Sequence, residues 1–178
     1  MESGRVALQP SRPARSIAVV EEAASHERFL RLAIELAEAR VRAGGGPFGA
    51  VVVREGGIVG TGFNAVVPLG DPTAHAEVQA IRDACATLGA YRLDGCALYA
   101  SCEPCPMCLG AIYWSRLGTV YFAGTRMDAA AAGFDDARFH QDMARSPAER
   151  TIRLIRLLGD EGRRPFTLWL AKPDRVLY

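Results

Sequence analysis

Residues 101–114, SCEPCPMCLGAIYW, carry Cys102, Cys105 and Cys108 within seven positions, ahead of a mostly apolar run. Three thiols this close together pair as disulfides, pack as small apolar residues or hold a metal ion. Pro104 suits the first position of a helix, where its missing N–H has no partner in any case, so a helix is predicted over 105–115. On that helix Cys105 and Cys108 stand at i and i+3 and share a face, so both sulfurs reach one ion. A helix N-terminus also favours the thiolate, the form that binds metal. Cys102 precedes Pro104 on an extended segment and need not point the same way. It is expected to pack as a small apolar residue, like Cys85 and Cys96.

The rest of the composition favours the metal. The chain has 178 residues, enough for one domain with a sizeable core. It is 49% hydrophobic and 23% charged, with a net charge of +1, so nothing in the composition suggests a large basic surface for a nucleic-acid backbone. No apolar run approaches the roughly 18 residues of a membrane helix. The N-terminal stretch lacks the apolar centre of a secretory signal, so a cytoplasmic location is expected, where disulfides rarely persist. Five cysteines is also an odd number. Metal binding or catalysis fits better than a disulfide framework.

Outward from the cysteines, the pattern alternates strands and helices. Residues 1–23 are rich in Arg, Pro, Ser and Ala and are expected to form a loose extension before a domain spanning 24–178. Ser25 is the expected N-cap of a helix whose apolar face is Phe29, Leu32, Ala33, Leu36 and Ala37. It ends by the GGGP of 44–47. Residues 48–54 and 58–63 read as a hairpin around Glu55-Gly56-Gly57. A helix is predicted over about 73–88, stopping at Gly89. Strands are predicted at 96–101, 119–124 and, nearer an edge, 151–158. Tyr113 and Trp114 read as core. The alternation predicts an α/β layer structure with helices on both faces of a sheet.

Two thiolates do not complete a tetrahedral site. Of the three histidines, His26 and His140 sit in polar surroundings, while His75 opens a helix inside HAE. His75, Cys105 and Cys108 make three protein ligands, with the fourth position left to water, as in catalytic zinc sites. The pairing of H-x-E with P-C-x-x-C is the zinc deaminase signature, in which the Glu, here Glu77, is acid/base rather than ligand. A closed structural site with Cys102 as fourth ligand is the alternative, and it leaves Glu77 without a task. Residues i and i+2 of a helix lie about 200° apart, so His75 and Glu77 converge only if His75 sits at the helix start.

The stretches GGPFGAVVV, DPTAHAEVQAIRDAC, SCEPCPMCLGAIYW and AGFDD together resemble bacterial guanine deaminases of the cytidine/deoxycytidylate deaminase superfamily, over about residues 25–178. The resemblance implies a three-layer α/β/α sandwich around a five-stranded mixed sheet. It implies a homodimer in which the C-terminal segment, about 160–178, is exchanged. It also implies zinc on His75, Cys105 and Cys108, with Glu77 as proton shuttle. By that resemblance Phe48 stacks on the base, Asn64 hydrogen-bonds it, Asp136 binds near the reacting amino group and acts catalytically by helping to protonate it as it leaves, and Tyr178 reaches the site from the partner subunit. The implied reaction is hydrolytic deamination of guanine, a purine base, to xanthine and ammonia by zinc-activated water. A tRNA adenosine deaminase, another nucleobase deaminase of the superfamily and a zinc-stabilised binding module are the alternatives. Without the resemblance, Phe48 reads as core, Asn64 as a strand-end turn residue, Asp136 as a solvated loop residue and Tyr178 as a frayed end.

Overall fold

The computed structural model describes residues 14–134 and 136–177, with side chains described from residue 23 onward. Helix α1, Ala14–Arg42, starts ahead of the expected Ser25 cap. Between Pro13 and Gly44 there is neither glycine nor proline to interrupt it, and residues 14–23 of the expected loose extension are therefore helical. Phe29, Ala33 and Ala37 form its buried stripe at i, i+4 and i+8. His26 adds polar anchorage: its ring nitrogens lie 2.7 Å from the Tyr99 hydroxyl and 3.2 Å from that of Tyr121.

Strands β1, Gly49–Arg54, and β2, Gly57–Phe63, form the predicted antiparallel hairpin. Its turn uses positive φ at Glu55 and Gly56. After a short helix α2, Val66–Leu69, comes α3, Ala76–Leu88, which ends at left-handed Gly89 as expected. Strand β3, Cys96–Cys102, pairs antiparallel with β1. Helix α4, Pro106–Trp114, then carries the chain to β4, Thr119–Gly124, which is parallel to β3. The proline in the first helical turn is thus Pro106, not Pro104, and Cys105 becomes the N-cap.

The sheet order is β2-β1-β3-β4. Central β1 is buried on both faces, which is why it reads as a run of valines. Val51, Val53 and Tyr99 meet Phe29 of α1 on one face. Ala50, Val52, Leu98 and Ala100 meet Ala80, Ile81 and Ala84 of α3 and Ile112 of α4 on the other. On α4 only Cys108 and Ile112 are buried. Tyr113, expected in the core, is 76% exposed, and Trp114 is exposed as well. They fall off the i, i+4 stripe that faces the sheet.

Beyond β4 lie α5, Arg126–Ala131, with a Thr125/Asp128 capping box, and α6, Ala137–Ala144. Residues 151–158 do not form the predicted fifth strand, so the sheet has four strands among the described residues. A 3₁₀ turn at Glu161–Arg163 leads to α7, Arg164–Ala171. Both segments are apolar yet exposed: Leu157 is 78% and Leu168 74% accessible. Among the described residues, 151–158 pair with no strand, and the outer edge of β4 is left open. Among the described residues no helix is long and apolar enough to cross a membrane.

Candidate active site

Two helix starts meet at the end of the sheet. His75 is the N-cap of α3, with extended backbone at φ −74° and ψ 156°. Its side chain therefore leaves the helical path, and His75 and Glu77 are able to serve one site although a regular helix would separate them. Cys105 is the N-cap of α4, also extended, and Cys108 lies in the first turn. The loop that follows β3 brings these two starts together.

The Cys105 Sγ and the Cys108 Sγ each lie 3.6 Å from His75 Nδ1. The three ligand atoms all fall within 4.8 Å of one another. Zinc about 2.3 Å from each sulfur and about 2.0 Å from nitrogen, at tetrahedral angles, sets sulfur and nitrogen about 3.6 Å apart. The donor set and its spacing thus fit zinc. Cys102 turns away, its sulfur 3.5 Å from the Thr125 carbonyl oxygen, and it does not join the cluster.

The electrostatics are those of a thiolate pocket. A hydrogen bond from Cys108 holds the Cys105 thiol down to about 4, against the effect of burial and with help from His75. Cys108 is pushed upward by that same bond and by burial. The hydrogen bond to Cys105 raises His75. Burial pushes the Glu77 carboxyl above the usual carboxylate range, in keeping with its 7% exposure. Burial also lifts the Cys102 thiol to about 11, with the neighbouring Glu77 carboxylate adding to it.

A cavity of about 510 Å³ opens beside this cluster. It gathers Phe48, Asn64, His75, Glu77, Cys105 and Asp136, together with Gly44, Gly45, Gly46, Phe134 and Phe139. Phe134 meets Phe48 edge-on, with centroids 4.9 Å apart and planes at 86°. Sequence reasoning missed Phe134, although it stands inside the GFDD stretch that supplied Asp136. Asn64 is fixed at both ends. Its Oδ1 accepts from the Val66 amide at 3.4 Å, and its carbonyl accepts from Arg40 Nε at 3.0 Å. Asp136 places Oδ1 out of solvent with no hydrogen-bond partner. Tyr178 lies outside the described residues. Its neighbour Leu177 accepts a hydrogen bond from the Tyr91 hydroxyl at 3.4 Å, and none of residues 151–177 lines the cavity.

This site has close relatives. The family model described as "Cytidine and deoxycytidylate deaminase zinc-binding region" matches residues 23–124, more than half of the chain. Guanine deaminase from Bacillus subtilis is 53% identical over 146 residues, which span 82% of this chain and 94% of that protein. A crystal structure of guanine deaminase from Bacillus subtilis superposes with a TM-score of 0.83 at 51% identity, covering 86% of this chain and 98% of that one. A tRNA-specific adenosine deaminase from Aquifex aeolicus is 44% identical over 97 residues, 54% of this chain and 64% of that protein. The same histidine and cysteines that the fold draws together thus lie in a region shared along the length of a known enzyme, and the chain belongs to the cytidine and deoxycytidylate deaminase family, in its guanine deaminase branch.

Proposed function

We propose that the protein hydrolyses guanine to xanthine and ammonia. The observation that carries this reading is the buried Glu77 carboxyl beside the His75, Cys105 and Cys108 cluster, at a cavity of about 510 Å³, within the range of small-molecule sites. The likeness to a guanine deaminase along nearly its whole length supports the choice of substrate.

His75, Cys105 and Cys108 would hold zinc. The chemistry zinc supplies when bound is a water near pKa ~7, able to attack as a nucleophile at neutral pH. Glu77 would take a proton from that water and return it to a ring nitrogen of the base; the proton left on the attacking oxygen would then pass, through Glu77 or with help from Asp136, to the amino group, which leaves as ammonia. Phe48 stacks on the ring and Phe134 closes the pocket edge. Asn64 hydrogen-bonds the base. Asp136 accepts from the amino group and adjacent N–H, donors that its unpartnered Oδ1 calls for. Sites built from buried polar groups reject bases that leave those groups unpaired, so adenine and cytosine are disfavoured.

The working unit in this reading is a homodimer. The exposed apolar residues of 151–158 and α7 support an exchange of C-terminal segments. Residues 151–158 would then act as the fifth strand, and Tyr178 would reach the partner's cavity. We also propose a cytoplasmic location. A tRNA substrate is the weaker reading, since the adenosine deaminase matches only about half of this chain and the net charge is +1.

Ammonia release over a panel of free bases, nucleosides and short RNA tests the proposal. Guanine is expected to be deaminated far faster than the rest, with xanthine as product. A preference for cytosine, or for adenosine within RNA, overturns it.

A further inference from the structure

Asp136 caps α6, and His140 follows one turn later at i+4. Their side chains face each other, with His140 Nε2 3.8 Å from Asp136 Oδ2. That separation is too long for a hydrogen bond. Asp136 Oδ1 and His140 Nε2 are both out of solvent and have no hydrogen-bond partner. They are the two buried side-chain nitrogen or oxygen atoms left in this state among the described residues. Buried polar atoms are almost always paired, because an unpaired one forfeits its hydrogen bonds to water. Here a ring nitrogen able to donate and a carboxylate oxygen stand together, both unsatisfied, at the edge of the cavity.

Among the described residues, two nearby arginines are engaged elsewhere. Arg138 lies over the Phe139 ring at 5.1 Å, and Arg126 turns to Glu103 at 4.0 Å. Asp136 and Phe139 line the cavity, whereas His140 does not. Any effect of His140 on a bound base therefore passes through the carboxylate.

We propose that His140 is a positioning residue for base recognition. With a base in the cavity, Nε2–H of His140 closes onto Asp136 Oδ2, and the carboxylate is held with Oδ1 toward the N–H donors of the substrate. A movement of less than about 1 Å brings the pair within hydrogen-bond range. The ligand class this selects is a ring presenting an amino group beside a ring N–H, a donor–donor edge matched by one carboxylate. The inference rests on the reading of the cavity as a guanine site, and it adds a residue outside the cavity wall.

The test uses the full-length, zinc-loaded protein. His140→Phe keeps a ring and removes the donor, and His140→Gln keeps an N–H donor. His140→Phe is expected to lower kcat/KM for guanine by about tenfold or more, the scale of a hydrogen bond to a charged group. His140→Gln is expected to recover most of that loss, with zinc content and melting temperature unchanged in both. In an Asp136→Asn background His140→Phe should cost nothing further. A second measurement needs no His140 substitution. In Glu77→Gln, expected to bind guanine and turn it over far more slowly, adding guanine should bring out a downfield, slowly exchanging Nε2–H proton of His140 by NMR. The proposal is overturned if His140→Phe stays within twofold of the parent, if Gln and Phe lose equally, or if the bound form shows no such proton. If the parent deaminates a different base, the guanine reading falls, and the same measurements with that base decide the role of His140 separately.

Discussion

Cys102 leaves the end of β3 with its sulfur toward the Thr125 carbonyl, while Cys105 and Cys108 place theirs 3.6 Å from His75 Nδ1. The difference follows from backbone direction. Cys105 is an extended N-cap and Cys108 lies in the turn after it, so both sulfurs fall on the side facing α3. We expect about one zinc per chain in the parent protein and in Cys102→Ser, and its loss in Cys108→Ser, measured by metal analysis. A Cys102→Ser protein without zinc beside a Cys108→Ser protein that keeps it would reverse the assignment. Glu77 contributes differently, since it is buried next to the cluster without belonging to it. Glu77→Gln is expected to retain zinc and to lose deamination by about 10²–10⁴, the usual worth of a positioned acid/base. Turnover within a few-fold of the parent would remove Glu77 from the mechanism.

At the scale of elements, the position of α3 depends on two glycines in β2. A Cβ at Gly62 would collide with the Ala76 carbonyl, and one at Gly60 with the backbone at Ala80 and Ala84. Ala76 lies between His75 and Glu77, so Gly62 sets the height of the candidate site above the sheet. Gly62→Ala and Gly60→Ala should each cost about 1–3 kcal/mol by overpacking. Gly62→Ala should also reduce guanine turnover more than Gly60→Ala does. Gly57→Ala, which meets only the Arg54 carbonyl at 3.5 Å, should change stability by less than about 0.5 kcal/mol. Equal activity in the Gly60 and Gly62 variants would disconnect β2 from the site.

The same scale explains what was legible in the sequence. The hairpin, α3 and the first four strands were readable because valine runs, Gly56 and Gly89 act locally. The zinc cluster was readable because two short motifs each stand at a helix start. The start of α1 was not, because Ser25 is a good cap that the fold does not use, and uninterrupted helix formers extend back to Ala14. Nor was the choice between Pro104 and Pro106, since both precede helical sequence and only the course of the loop selects one. Phe134 escaped because its partner Phe48 is 86 positions away. Residues 151–158 have the composition of a strand, but a strand also requires a neighbour, and local sequence does not name one.

At the scale of the whole molecule, the apolar C-terminal segment leaves much of the protein's hydrophobic surface uncovered. Ile152, Leu154, Ile155, Leu157 and Leu158, then Phe166, Leu168 and Leu170, are all exposed. An exposed apolar run of that size marks an interaction surface. Polar residues 172–175 with Pro173 then connect to the apolar Val176 and Leu177. Light scattering coupled to size exclusion is expected to give twice the mass of one chain. Deleting 176–178 should leave zinc and the dimer intact and lower guanine turnover strongly. Mixing that deletion with full-length Glu77→Gln under subunit exchange separates the two ways the end could reach a cavity. If it docks across the dimer, a mixed dimer holds one complete site, with Glu77 from the truncated chain and the end segment from its partner. Random pairing makes half the dimers mixed, so about a quarter of the parental activity returns. If the segment docks on its own chain, neither half of the mixed dimer is complete and no activity returns. A fully active truncated protein would remove the end segment from the site altogether.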